Sequence, residues 1–208
     1  MREEFICARS TAKKVQWKLP AVRAYRQQID AFLERLLLLV HLTSGQPARG
    51  TEIMSLRYVN TVSGHHRNIF IENGMVSTVT TYHKGYSITG STKIIHRYLP
   101  KEVGELLVYY LWLIQPFYRK LELLALHKKN QPSPFLWAKE ASSEPWDSSR
   151  LSAVLQHETK QAFGVACTIP VYRHLAIAIS RKHLKCGGFK RDYGHEDTRF
   201  NIQASHTS

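Results

Sequence analysis

Residues 69–82 read Ile-Phe-Ile-Glu-Asn-Gly-Met-Val-Ser-Thr-Val-Thr-Thr-Tyr, and this stretch decides the fold class. A short apolar run is followed by a turn signal at residues 72–74 and then by a run rich in Val and Thr, the residue types that strands favour. Residues 93–99 form a returning strand after a loose hairpin tip. The pattern predicts a small three-stranded antiparallel sheet spanning roughly residues 68–99.

The sequence on both sides of this sheet has the periodicity of helices. Apolar residues recur at three- and four-residue spacing, and proline or polar capping residues stand at the expected starts. The helix over residues 148–163 is predicted to carry Leu151, Val154, Leu155 and Phe163 on one face. The last helix is predicted to pack Leu175, Ala176, Ala178 and Ile179 inward. Helices are expected over residues 20–41, 49–57, 101–127 with a break at Gln115-Pro116, 148–163 and 170–184. The fold class is therefore α+β, mostly helical with a three-stranded antiparallel sheet.

Length and composition favour one globular domain in a reducing compartment. The chain has 208 residues, of which 43% are hydrophobic and 22% charged, values typical of a folded domain. No apolar run approaches the roughly 20 residues of a membrane helix, so no membrane association is expected. Its three cysteines lack paired or metal-ligand spacing, which indicates an intracellular protein without a zinc site.

The charge balance indicates a polyanionic partner. Twenty-nine Lys and Arg residues against sixteen Asp and Glu give a net charge of +13. A surplus of this size suits nucleic acid, because each neutralised phosphate releases counterions. Charge alone does not distinguish DNA from RNA, and ordinary solubility is the plainer explanation of it.

Two arginines stand in distinctive surroundings. Arg49 lies in Pro47-Ala48-Arg49-Gly50-Thr51-Glu52, and Arg173 lies in Val171-Tyr172-Arg173-His174. Between them, Lys84 falls at the predicted hairpin, and His206 follows close to the last residue. Guanidinium groups stay charged and can donate two hydrogen bonds to one phosphate. Two arginines, a hairpin lysine and a late histidine, in this order, indicate a site for one phosphodiester group.

These residues resemble the motifs of the tyrosine recombinases of the phage integrase type. Residues 44–59, with Arg49, Glu52 and Leu56-Arg57-Tyr58, are similar to the family's first arginine box. Residues 170–178 are similar to its second box, and residues 204–206 to the start of its late Gly-His motif. The residues of these two boxes most resemble those in the recombinase domains of fungal crypton-like mobile elements and their domesticated relatives.

The resemblance implies a catalytic set of Arg49, Lys84, Arg173, His174 and His206. The two arginines would clamp the scissile phosphate, and Lys84 would protonate the leaving 5′ oxygen, a task that His83 or Lys93 could take instead. The two histidines would contact the phosphate or assist proton transfer. Glu52 would orient Arg49 from behind, although a plain ion pair on the helix surface explains the same spacing.

Two departures from the family pattern affect activity. Pro170 stands where the family usually has His or Lys, and no tyrosine follows His206. Tyr193 precedes that histidine, so it is not assigned as the nucleophile. Residues 1–18 are basic and lack clean periodicity, so they are expected to form an N-terminal arm or stub. The resemblance implies a recombinase-like catalytic domain over residues 19–208. That domain is expected to be C-terminally incomplete and unable to form a covalent intermediate.

The expected function is DNA binding by a domain that resembles a tyrosine recombinase and whose nucleophile is absent from the chain. Double-stranded DNA is the expected partner, with self-association on DNA compatible with it, and no cofactor or metal is expected. Such a role implies a nuclear location. Two alternatives stay open: an inactive, domesticated DNA-binding module, and a basic helical RNA-binding or scaffold protein.

Overall fold

The three-stranded antiparallel sheet is present. The structure, a computed structural model, describes residues 2–7, 15–82, 93–127, 133–139, 142 and 144–183. The strands are β1 (Ile69–Glu72), β2 (Met75–Tyr82) and β3 (Lys93–Tyr98), in the order β1-β2-β3. Asn73 and Gly74 join β1 to β2 with φ angles of 51° and 77°. Positive φ at both positions is the requirement of a tight hairpin turn, and Asn-Gly meets it at little steric cost.

Helices precede and follow this sheet in the chain, so the α+β class is confirmed. Pro at the second position starts the longest one, and Asp147 caps a later one by accepting a hydrogen bond from the Ser149 N–H at 2.7 Å. The helices are α1 (Arg2–Phe5), α2 (Leu19–Thr43), α3 (Gly50–Met54), α4 (Lys101–Tyr109), α5 (Gln115–Ala125), α6 (Ser148–Phe163) and α7 (Ile169–His183).

One hydrophobic core joins α2 to the other elements. Apolar side chains on one side of α2 are buried, as its periodicity predicts, and α6 contributes Leu151 and Leu155. Ile53 of α3 and Leu56 just after it are also buried. The buried apolar side chains of α2 are Val22, Ile29, Leu33, Leu36, Leu37 and Val40.

The predicted break before Pro116 takes the form of a π-helical turn. Residues Tyr110–Ile114 connect α4 to α5 with wider hydrogen bonding, and the Gln115 N–H donates to the Tyr110 carbonyl. Proline has no N–H to continue the α-helical pattern, so the ladder is rearranged just before it. Upstream, Gly104 lets α4 approach β2 closely, because a Cβ there would lie 3.1 Å from Val76 Cγ2.

The described part of the N-terminal segment packs on the domain. The Phe5 side chain is buried, and its ring centroid lies 5.5 Å from that of Tyr25 and 5.9 Å from that of Phe117. Cys7 donates its backbone N–H to the Gln16 carbonyl at 2.9 Å. The ring contacts fasten Phe5 to α2 and α5, and the Cys7–Gln16 bond joins two parts of the N-terminal segment to each other.

Phe163, predicted to share a face with Leu155, is exposed, and so are Leu175, Ala178 and Ile179, which were predicted to pack inward. Phe163 is the last residue of α6, beyond the buried Leu155, and the chain turns away at Gly164 with φ of 75°. Leu175 and Ile179 lie on the outer side of α7. That helix is held to the end of α2 by polar contacts instead, because Tyr172 donates to the Leu42 carbonyl. Periodicity correctly identifies an apolar stripe on α7. It does not show which side of the helix packs against the rest of the protein.

Candidate phosphate-binding site

Arg49 is placed at the start of α3 by the loop that ends α2. Its backbone is extended, with φ of −71° and ψ of 153°, and it is the residue that precedes the first helical residue, Gly50. The Glu52 carboxylate accepts a hydrogen bond from the Arg49 backbone N–H at 3.3 Å. A carboxylate at this position satisfies a backbone donor that the helix itself leaves unpaired. The entry of the chain into α3, and with it the position of Arg49, is therefore held by Glu52.

Arg173 and His174 lie in the first turns of α7. Together with Arg49 they line one cleft of about 510 Å³, although the two arginines are far apart in sequence. The other residues lining the cleft come from the starts of the same two helices and of α6: Gly50, Thr51, Asp147, Ser148, Ser149, Ser152, Ile169 and Pro170.

The electrostatics of this cleft favour an anion. Three helices, α3, α6 and α7, begin at it, and the longer two contribute the partial positive charge of their first turns. Hydroxyl groups from Ser148, Ser149 and Ser152 add donors. Asp147 is the one carboxylate among the described residues that line the cleft. Its hydrogen bond with Ser149 lowers its pKa, so it stays ionised and partly offsets the positive groups.

Close packing around Gly50 brings two of the helix starts together. A Cβ at this position would lie 2.6 Å from Ser148 Cβ and 3.5 Å from Ile169 Cδ1. The first of these distances is shorter than any van der Waals contact. The glycine that follows Arg49 in the sequence is thus the residue that allows α3 to meet α6 beneath the cleft.

Glu52 is not part of a surface ion pair, the plainer alternative for the Arg-x-x-Glu spacing. It is buried, and its Oε2 atom lies 3.2 Å from Nη2 of Arg97 on β3. Arg97 is itself only 2% exposed and also donates to Thr80 Oγ1 at 2.8 Å. Burial lowers the pKa of Arg97, and the Glu52 carboxylate opposes that effect. The Glu52–Arg97 ion pair is therefore internal. Its carboxylate also accepts the backbone N–H of Arg49, which lines the cleft.

His41, near the end of α2, is a second buried group close to the site. It is fully shielded from solvent, and its ring centroid lies 5.4 Å from that of Tyr172. Burial, followed by the charges of Arg173 and Arg97, lowers the pKa of His41 to about 4. It is therefore neutral at physiological pH, which avoids a third positive charge beside the two arginines.

The remaining predicted site residues cannot be placed. Lys84, its alternative His83, and His206 lie outside the described residues, as does Tyr193. Lys93 begins β3, but its side chain is likewise outside the described part. Of the five residues predicted to be catalytic, the structure places Arg49, Arg173 and His174, and it brings these three to one cleft.

Sequence reasoning missed Arg97, His41 and the serines of α6. A signal for Arg97 existed, because it lies in phase with Ile95 and Leu99 in a strand where alternate residues face the core. A charged residue at an inward position indicates an internal partner. For His41 and the serines, only the tertiary structure brings them to the cleft.

No group of three or more His, Cys, Asp or Glu side chains suited to a metal ion occurs in the described part of the chain. The described helices include none that is long and apolar enough to cross a membrane. No protein-family model matches the sequence, and a search of the solved structures found no match either.

Proposed function

We propose that this protein binds double-stranded DNA and seats one backbone phosphate in the cleft between Arg49 and Arg173. The observation that carries the proposal is the convergence of Arg49, Arg173 and His174 on one cleft. The net charge of +13 supports it, because a phosphate contact is strengthened by a positive surrounding field.

The finer part of the proposal is that the bound group corresponds to the scissile phosphate of a tyrosine recombinase. It rests on the resemblance of the two arginine boxes, and the cleft geometry is compatible with it. Two guanidinium groups and helix N-termini aimed at one phosphate would stabilise charge on its non-bridging oxygens. Strand cleavage and rejoining also need a nucleophile. None of the described residues that line the cleft is a tyrosine, so the cleft residues themselves are proposed to hold the phosphate.

Binding by variants tests this function. Duplex DNA with a fluorescent label is titrated with the wild type, Arg49→Ala and Arg173→Ala at one fixed salt concentration, and anisotropy is recorded. Each arginine substitution should weaken binding by about tenfold or more, since a hydrogen bond to a charged group contributes about 1.5–3 kcal/mol. Lys101→Ala is the matched control, because Lys101 is an exposed cation on α4 outside the cleft.

Two outcomes would redirect the assignment. Equal losses for Lys101→Ala and both arginine variants would indicate a diffuse basic surface rather than a built phosphate site. Tighter binding of an RNA duplex than of a DNA duplex of the same sequence would favour the RNA-binding alternative. The domesticated, inactive module and the recombinase share the binding prediction, and a phosphotyrosyl adduct on a nicked duplex separates them.

A further inference from the structure

Arg97 holds an unusual place for a charged side chain. It projects from β3 into the interior, and its flanking inward neighbours Ile95 and Leu99 are buried apolar residues. A guanidinium in such a place is strongly unfavourable unless its donors are satisfied. Three of its hydrogen bonds reach different elements: Glu52 on α3, Thr80 on β2 and Gln46 in the loop between α2 and α3.

The first connection runs towards Arg49. Nη2 of Arg97 donates to Glu52 Oε2 at 3.2 Å. The same carboxylate oxygen accepts the Arg49 backbone N–H at 3.3 Å. One oxygen atom thus joins the buried arginine to the backbone of the arginine that lines the cleft.

The second connection runs towards the helix that carries Arg173. Nε of Arg97 donates to the Gln46 carbonyl at 3.2 Å, and the Gln46 side-chain amide donates to Ser180 Oγ at 2.7 Å. Ser180 lies on α7 about two turns after Arg173. Gln46 therefore connects Arg97 to α7, the helix that carries Arg173.

We propose that Arg97 is a positioning residue that sets the separation of Arg49 and Arg173 across the cleft. Its planar fork holds α3 through Glu52 and α7 through Gln46, while Thr80 fixes the fork relative to the sheet. Lysine would keep the charge, but its three N–H donors leave a single nitrogen on a flexible stem, so it could not hold in one geometry the three acceptors that the three Arg97 nitrogens reach. The inference rests on the proposed function, because the separation matters only if one phosphate bridges the two arginines.

The first test is a double-mutant cycle on DNA affinity. Arg97→Lys should weaken duplex binding about tenfold in the wild-type background, a size typical of residues coupled through one network. In the Arg49→Ala background the same substitution should weaken it by less than about threefold, because the contact that it positions is already gone. Arg26→Lys is the control, since Arg26 pairs with Asp30 on α2 and does not line the cleft.

The second test needs no DNA. Amide hydrogen exchange, measured by mass spectrometry, should rise in Arg97→Lys for peptides covering residues 46–54 and 172–181. It should stay unchanged in α5, which is remote from the network. A substitution that merely destabilises the fold would raise exchange in every element.

If Arg97→Lys does not fold, Thr80→Val replaces it, because that variant removes one hydrogen bond to Arg97 and keeps both charges of the ion pair. It should show the same pattern at about threefold. Additive losses in the cycle, or exchange that rises throughout the chain, would overturn the inference. If Arg49→Ala itself leaves binding unchanged, the proposed function fails, and with it the role assigned here to Arg97.

Discussion

At the scale of single residues, His41 has an environment that water cannot reach. Neither of its ring nitrogens has a hydrogen-bond partner among the described residues. An imidazole in this setting is tolerated only in its neutral form, because charging it would bury a cation beside Arg173 and Arg97. The consequence is a direct link between acid pH and stability.

The stability of the protein should fall with acid because of His41. Its folded pKa of about 4 lies below the ordinary histidine pKa of 6.5, so the unfolded state binds more protons between these values. Stability is therefore fully present above pH 6.5 and is lost as pH falls towards 4. Between pH 7 and pH 5 the wild type should lose about 2 kcal/mol more unfolding free energy than His41→Leu. Urea denaturation at the two pH values measures the difference.

The control for this experiment is His157→Leu. His157 is exposed on α6, so the substitution removes an imidazole without changing the buried site. If both leucine variants reduce the acid sensitivity to the same extent, the buried imidazole is not its source.

At the scale of elements, the cleft depends on how closely three helices begin beside one another. The start of α3 reaches the start of α6 only because residue 50 has no side chain. Arg49 is the residue immediately before this contact, so a change in helix spacing moves it directly. The spacing of α3 and α6 at residue 50 therefore also sets the position of the Arg49 side chain at the cleft.

Gly50→Ala should lower both stability and DNA affinity. The added Cβ would lie 2.6 Å from Ser148 Cβ, and relieving that overlap must separate α3 from α6 at a cost of about 1–3 kcal/mol. Thermal unfolding and anisotropy titration measure the two effects. Gly104→Ala is a matched control, because it also adds a methyl group to a tight helix contact, against Val76, but outside the cleft. Loss of affinity in the control alone would contradict the placement of the site.

At the scale of the whole molecule, the surplus of positive charge acts over distance while the cleft acts by contact. In the proposed function both would contribute to DNA affinity. Salt would screen the long-range field, whereas each phosphate contact would add to the slope of the logarithm of the binding constant against the logarithm of salt concentration. The net charge of +13 belongs to the entire chain, so removing one surface lysine changes it little. Removing a residue that contacts a phosphate should instead change how steeply DNA affinity depends on salt concentration.

The logarithm of the binding constant should fall linearly with the logarithm of salt concentration. Arg49→Ala should reduce the magnitude of that slope by about 1, because one phosphate contact is lost. Lys101→Ala should leave the slope nearly unchanged. A slope that is the same for all three proteins would show that Arg49 does not contact DNA phosphate.

The sequence by itself determined the fold class and most element positions. Asn73-Gly74 between two strand-forming runs produced the predicted turn between β1 and β2, because a local turn preference and side-chain alternation need no distant partner. Helix α2 followed from its apolar spacing, and α6 from its apolar spacing and a polar capping residue, which in the structure is Asp147. Arg49 and Arg173 were selected as a pair from their surrounding motifs alone.

Only the tertiary structure decided which groups surround those arginines. The partner of Glu52 is Arg97, on a strand 45 residues away in sequence, and the outward stripe of Leu175 and Ile179 depends on what α7 packs against. The serines of α6 reach the cleft because Gly50 permits close contact. Long-range neighbours of this kind are set by how the helices pack around one core, which local sequence preferences do not specify.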